Sequence, residues 1–294
     1  MPGAGAPLAA GYPGQPCGRS CRWPDIDPGS RGGCAVRKPP SAWLRRYPQS
    51  RPPRCRLVCL PHAGGSASFF NDWRDQLPAD IELISVQYPG REERLGETWP
   101  GSLEWMAGTI TRALSDLADR PLVLFGHSMG AAVAFEVALR LQQQGSAPQR
   151  LIVSAHPAPH RQRHSELHLG PDAGLLADVR RLSDGQPSPL DDPALRELYL
   201  PALRNDYRLI ESYRGDASRT LDLPLSVCLG AQDREVDHDE AYAWAESSRQ
   251  VTDFQTFPGG HFYLRQQQAE VLRHLTRLLA SLGEPAWQCW PSTP

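Results

Sequence analysis

Two kinds of apolar segment alternate along the chain. Cys55–Leu60, Ile81–Gln87, Leu122–Phe125, Leu151–Ser154, Leu225–Leu229 and Thr252–Phe257 are short runs that read as strands. Between them the spacing turns helical. Leu103, Met106, Ala107, Ile110, Leu114 and Leu117 share one face of a helix over Leu103–Leu117, and helix-like stretches cover Phe69–Leu77, Ala131–Leu141, Glu240–Ser247 and Tyr263–Leu282. Strand following helix in this rhythm predicts an α/β fold, a mostly parallel central sheet with helices on both faces. The rhythm breaks between about Ala155 and Gly215, where Arg, Asp, Pro and short helical stretches, chiefly Ala173–Leu182 and Leu195–Tyr213, separate two strands. A break of that kind predicts a helical lid inserted over a site.

Composition sets the domain limits. Of the 294 residues, the first 40 hold eight Pro and eight Gly and show no apolar periodicity. Residues 1–40 therefore read as a disordered tail, residues 285–294 as a second short tail, and residues 41–284 as one domain with its lid at about 156–215. A net charge of −2 argues against nucleic acid held by a basic field. No apolar run nears the roughly 20 residues of a membrane helix, and no secretory leader is evident, so the expectation is a cytoplasmic protein with no membrane partner. The seven Cys are scattered. Cys17, Cys21 and Cys34 lack a fourth nearby ligand, so reduced thiols and no metal are expected.

The sharpest chemical signal is Gly126-His127-Ser128-Met129-Gly130, placed between a predicted strand and a predicted helix. In that setting GxSxG is a nucleophile elbow, which exposes the Ser128 hydroxyl at the carboxyl edge of the sheet. A serine hydroxyl needs a base. His261 follows the last strand in Pro258-Gly259-Gly260-His261-Phe262 and lies at the same edge, whereas His127 sits inside the elbow and His274 inside the last helix. Asp233 directly follows Leu225–Leu229 and its Gly230 turn, which suits an acid that orients the imidazole; Glu235, Asp237 and Asp239 compete from further along that loop. Pro61-His62-Ala63-Gly64-Gly65-Ser66, after the first of these strands, lies where a second oxyanion donor is expected, so the backbone N–H groups of Ala63 and Met129 are the candidate pair. Gly64 and Gly65 match neither a P-loop nor a dinucleotide pattern. His156, His160, His164 and His168 recur every fourth residue, but Pro157 and Pro159 disrupt the helix that would align them, so they read as a polar lid entrance.

Trp43-Leu44-Arg45-Arg46, the Pro61–Gly65 run, Gln87-Tyr88-Pro89-Gly90-Arg91, Gly126–Gly130, Leu200-Pro201-Ala202-Leu203-Arg204-Asn205-Asp206 and Gly259-Gly260-His261-Phe262 together resemble the type II thioesterases. These are stand-alone α/β-hydrolases that serve polyketide and nonribosomal peptide synthases. The resemblance implies an α/β-hydrolase fold and hydrolysis of acyl thioesters from the phosphopantetheine arm of acyl or peptidyl carrier proteins, an editing role. It implies a monomer whose catalytic residues are Ser128, Asp233 and His261, with no cofactor apart from the phosphopantetheine on the substrate. Thioesterase domains fused to synthases usually place their acid after the strand that follows the nucleophile helix; here that place reads Ser154-Ala155-His156-Pro157. Asn205 stands where the family often has Ala. A carboxylesterase or acyltransferase using the same triad is the alternative. Apolar lid faces are expected to line an acyl channel. Arg45, Arg46, Arg51 and Arg54 read as a solvated basic run or a docking patch for an acidic carrier, and Arg91, Glu92, Glu93 and Arg94 are expected to fix a loop near the site entrance.

Overall fold

The strands Cys55–Leu60, Ile81–Val86, Leu122–His127 and Leu225–Gly230 are buried along their whole length, which is what a sheet covered by helices on both sides requires. In the strand Cys55–Leu60 the side chains of Cys55, Leu57 and Cys59 join one core and those of Val58 and Leu60 the other, following the two-residue pleat. The computed structural model describes residues 42–49, 51–280 and 282. The chain divides into units Met1–Pro39 and Pro40–Pro294, and the described residues fall in the second. The expected tails at 1–40 and 285–294, with Cys17, Cys21, Cys34 and Cys289, lie outside the described residues.

Among the described residues seven strands make one sheet: β1 (Leu44–Arg46), β2 (Cys55–Leu60), β3 (Ile81–Val86), β4 (Leu122–His127), β5 (Arg150–Ser154), β6 (Leu225–Gly230) and β7 (Thr252–Phe257). Their order is β1-β3-β2-β4-β5-β6-β7, and only β1, paired antiparallel to β3, departs from parallel. The strand β1 is too short to register as a hydrophobic run. Against one face lie α1 (Leu103–Leu114) and α2 (Met129–Gln143). Ser102 caps α1 by accepting from the Trp105 N–H at 3.1 Å. The lid contributes α3 (Asp172–Leu182) and α4 (Pro193–Ser212), whose first turn is capped by Asp192 accepting from the Ala194 N–H at 2.8 Å. After β6 comes the short helix α5 (His238–Tyr242). After β7 come α6 (Tyr263–Gln266) and α7 (Gln268–Ala280), which cover the other face through Tyr263, Leu264, Val271, Leu272, Leu275 and Leu279.

Three predicted helices differ from those observed. The stretch from Phe69 to Leu77 is a 3-10 turn over Ala67–Trp73 followed by irregular chain. The Ala67 N–H that opens this turn donates to Gln87 Oε1 at 2.7 Å. The helix expected over Glu240–Ser247 begins earlier, at His238, and tightens to 3-10 from Ala243. The helix expected over Tyr263–Leu282 breaks at Gln267, which lets Tyr263 and Leu264 reach the core as well as the α7 stripe.

Phe125 is fully buried beneath β4, edge-on to Trp73 at 5.2 Å and to Phe70 at 6.0 Å. Phe125→Ala is expected to lower stability by about 3–5 kcal/mol, since the space it leaves is walled by sheet and cannot collapse. Urea unfolding of the variant beside the parent checks this, and a loss under about 1 kcal/mol would contradict the packing described.

Candidate active site

The elbow forms where β4 runs into α2. Ser128 sits between them with φ 54° and ψ −126°, a conformation few side-chain-bearing residues adopt. Its N–H donates to the Ser154 carbonyl at 2.8 Å and its own carbonyl accepts from Ala131 N–H at 2.8 Å, so the strained residue is held from both sides. A Cβ on Gly130 would stand 2.2 Å from the Leu60 carbonyl oxygen, and only glycine lets the first turn of α2 press so near the end of β2.

Two further strand ends bring the other side chains to Ser128. The Ser128 hydroxyl donates to His261 Nε2 at 3.0 Å, and His261 Nδ1–H donates to Asp233 Oδ2 at 3.0 Å and Oδ1 at 3.2 Å. The carboxylate on Nδ1 selects the tautomer that leaves Nε2 free to accept. The side chain of Asp233 is wholly buried and that of His261 nearly so. The loops carrying them are bonded to each other, Ala231 N–H to the Phe257 carbonyl at 2.8 Å and Gln232 N–H to the Gly259 carbonyl at 2.9 Å. Gly230 permits that approach, because a Cβ there would stand 2.3 Å from the Gly260 carbonyl oxygen. The competing acids are engaged elsewhere or exposed: Glu235 pairs with Arg181 at 2.6 Å, Asp237 caps α5, and Asp239 faces solvent.

The loop after β2 passes beside the elbow. Among the described residues neither the Ala63 nor the Met129 N–H has an acceptor. Around Ala63 the neighbouring backbone is tied down at several points. Gly65 N–H donates to the His62 carbonyl at 2.9 Å, Gly64 N–H donates to Asp206 Oδ2 at 2.8 Å, and Tyr88 Oη–H donates to the Pro61 carbonyl at 3.1 Å. Asp206, on α4, also receives both Arg91 amines at 2.7 and 2.9 Å, and Arg91 Nη1 donates to the Gly65 carbonyl at 2.8 Å. The sequence reading assigned Asp206 no role and Arg91 only a loop-fixing one. The available signal was an acid at 206 on the buried stripe of α4, between Leu203 and Leu209.

A cavity of about 1210 Å³ opens over Ser128, bounded by the 62–66 loop, the His261 loop and the lid. Its lid wall is mixed: Val179, Leu182 and Leu203 alternate with Asp178, Arg181 and Glu211. The apolar lid faces thus line the cavity only in part; Leu175, Leu200, Leu203 and Tyr207 pack on one another. The four regularly spaced histidines go to four different partners. His156 Nδ1–H donates to the Pro157 carbonyl at 2.7 Å, His160 lies 3.1 Å from Glu246, Arg214 donates to His164 at 2.9 Å, and His168 pairs with Glu211. The basic run is likewise largely paired within the molecule, Arg45 with Glu92 and Glu93, Arg46 with Glu82 and Arg54 with Asp80, while Arg51 is exposed. These pairs leave most of its charge already neutralised. His127 has its Nδ1 3.0 Å from Ser154 Oγ and its ring 5.3 Å from that of His261.

Residues 55–279 match the model of the thioesterase domain family. The chain is 41% identical over 224 residues to a probable cadicidin biosynthesis thioesterase of Streptomyces griseus, an alignment covering 76% of this chain and 62% of that one. It is 38% identical over 246 residues to the thioesterase PikA5 of Streptomyces venezuelae, covering 83% and 88%. The solved type II thioesterase BorB of the borrelidin cluster superposes with a TM-score of 0.77 at 37% identity, over 82% of this chain and 99% of that one. The fold is that of the α/β-hydrolases, as read from the sequence.

Burial holds several imidazoles near the site neutral, His127 and His156 among them. His127, fully buried beside His261 and His62, is pushed well below the ordinary imidazole range, and His156, also buried, is pushed down to about 4. In the unfolded chain each takes up a proton near pH 6.5. Stability from these groups is therefore complete above about pH 6.5 and is lost as pH falls toward 4, at up to about 1.4 kcal/mol per histidine per pH unit. Urea midpoints at about pH 7.5 and pH 5 should show the fall, and His156→Gln should flatten it by one histidine's share. An unchanged slope would trace the acid sensitivity to other groups.

Proposed function

The chain belongs to the thioesterase domain family, and we propose that it is a serine hydrolase that releases acyl groups from the phosphopantetheine arm of acyl or peptidyl carrier proteins, an editing role for a polyketide or nonribosomal peptide synthase. The observation that carries this reading is the chain of hydrogen bonds from Ser128 through His261 to Asp233 at the floor of the cavity. His261 Nε2 takes the hydroxyl proton as Ser128 Oγ attacks the thioester carbonyl, and Asp233 stabilises the imidazolium. The oxygen that becomes negative turns toward the N–H groups of Ala63 and Met129, both free to donate. Collapse of the tetrahedral adduct breaks the C–S bond. The pantetheine thiol, with an ordinary pKa of about 8.5, leaves with the proton from His261. Water then gives a proton to His261 and its oxygen to the acyl carbon, and the free acid and the Ser128 hydroxyl are regenerated.

The steps need no group beyond the pantetheine on the substrate. One chain supplies all five catalytic groups, which supports a monomer as the working unit. The names of two of the relatives, a probable cadicidin biosynthesis thioesterase and a type II thioesterase of the borrelidin biosynthetic cluster, support a carrier-bound acyl chain over a free ester. Among the described residues no helix is long and apolar enough to cross a membrane.

A carrier protein loaded with acetyl or propionyl phosphopantetheine should lose its acyl group to water when mixed with the enzyme, as read by mass spectrometry. Ser128→Ala is expected to lower the rate by at least about 10³-fold, and Asp233→Asn by about 10²–10⁴-fold with little change in KM. Equal release by Ser128→Ala would sink the mechanism. Transfer to an added amine or alcohol in preference to water would make the enzyme an acyltransferase.

A further inference from the structure

The hydrogen bonds around Ala63 fix the direction of its N–H, and one of them comes from the lid. We propose that Asp206, held by Arg91, is a positioning residue for the oxyanion hole, so that α4 completes the site for the transition state as well as covering it. The proposal rests on the serine-hydrolase reading above.

The Ala63 N–H shares a peptide plane with the His62 carbonyl, and that carbonyl is pinned by the Gly65 N–H at 2.9 Å. The next plane joins the Ala63 carbonyl to the Gly64 N–H, which is pinned by Asp206 Oδ2 at 2.8 Å. The plane joining Gly65 to Ser66 is pinned through its carbonyl by Arg91 Nη1 at 2.8 Å. Ala63 thus lies between two fixed planes with its own N–H unspent. Gly64 is the weak point of the loop, since it has φ +76° and, being glycine, can take either sign of φ. Its plane turns over freely unless something holds it.

Among the described residues only Asp206 accepts from the Gly64 N–H. Leu203, one turn earlier on the same face of α4, closes over Gly64 so tightly that a Cβ there would stand 2.8 Å from Leu203 Cδ1. Arg91 aligns the carboxylate through two amines and ties it to the Gly65 carbonyl, so the acid and the loop form one unit. An oxyanion donor works only within a few tenths of an ångström of its ideal distance. Removing the acid frees the Gly64 plane and leaves the Ala63 N–H held from one side only, through the His62 carbonyl.

A trifluoromethyl ketone analogue of an acyl pantetheine, which adds to Ser128 and places a negative oxygen in the hole, separates this role from a merely structural one. The matching thioether, which develops no charge, is the control. Asp206→Ala is expected to lower kcat by on the order of 10²-fold with KM within about threefold, and to weaken the ketone by the same factor while leaving the thioether unchanged. Asp206→Asn, which keeps an oxygen acceptor, should recover about tenfold of that loss. Because Asp206→Ala leaves Arg91 buried without an anion, the double variant Arg91→Leu with Asp206→Leu is measured beside it and should show the same loss. Full kcat in a folded variant, or equal weakening of ketone and thioether, would overturn the proposal. A parent enzyme that binds the ketone at Ser128 yet leaves pantetheine thioesters intact would refute the thioesterase reading and leave the ketone comparison valid.

Discussion

Between the loop after β3 and the lid helix α4, a guanidinium and a carboxylate meet almost entirely out of water, Arg91 at 3% exposure and Asp206 at 1%. Taking both ions from water costs several kcal/mol each, and their attraction offsets that only where every donor and lone pair is used. Here nearly all are used. Arg91 gives both amines to Asp206, one of them also to the Gly65 carbonyl, and its Nε–H to the Pro89 carbonyl at 3.3 Å, while its face lies over the Tyr88 ring. Asp206 takes the Gly64 N–H as a third bond. A pair like this adds little net stability compared with apolar residues of the same size, yet losing one partner costs about 3–5 kcal/mol. It therefore disfavours any docking of α4 that leaves either charge unmet, and the positions of the lid and of the loop after β2 follow from that choice.

The two halves of the site are held by different means. Ser128, Asp233 and His261 stand at ends of parallel strands and are placed by backbone: Ser128 N–H on the Ser154 carbonyl, Ala231 N–H on the Phe257 carbonyl, and glycines that let strand ends approach within the space of a missing Cβ. The strain in Ser128, of order 1–3 kcal/mol, survives because the sheet leaves that residue no other course. The Ala63 amide belongs to a loop outside the sheet and depends on side chains from two other segments. The triad is as rigid as the sheet, whereas the oxyanion loop is as rigid as the seat of the lid.

That division explains what the sequence made legible. Strand runs, the GxSxG turn at a strand-to-helix boundary, and an acid and a base each just after a later strand are local patterns, so the sheet and the placement of Ser128, Asp233 and His261 could be read from them. The strand β1 carries only three residues and owes its existence to pairing with β3, a non-local fact. The break at Gln267, which brings Tyr263 and Leu264 into the core, and the 3-10 turn at Ala67–Trp73 are features that periodicity does not express. Arg91 and Asp206 are 115 residues apart and ordinary in composition. Only the burial of an acid on an apolar helix stripe hinted that it had a partner.

The contacts that seat the lid also differ in strength along its length. The helix α4 is fixed by the buried ion pair, by Leu203 over Gly64, and by Tyr213, just past its end, whose Oη–H donates to Glu136 of α2 at 3.0 Å. The helix α3 meets the body through the Arg181–Glu235 pair, whose side chains are 40% and 36% exposed, and through Asp184 lying against Gly260. An ion pair that open to water contributes about 0–1 kcal/mol and weakens with salt. The contact of α3 with the Asp233 and His261 loops is therefore the weakest seam around the cavity, while α3 stays bound to α4 through Leu175 packed on Leu200, Leu203 and Tyr207 and through Tyr207 Oη–H donating to Asp178 at 2.7 Å.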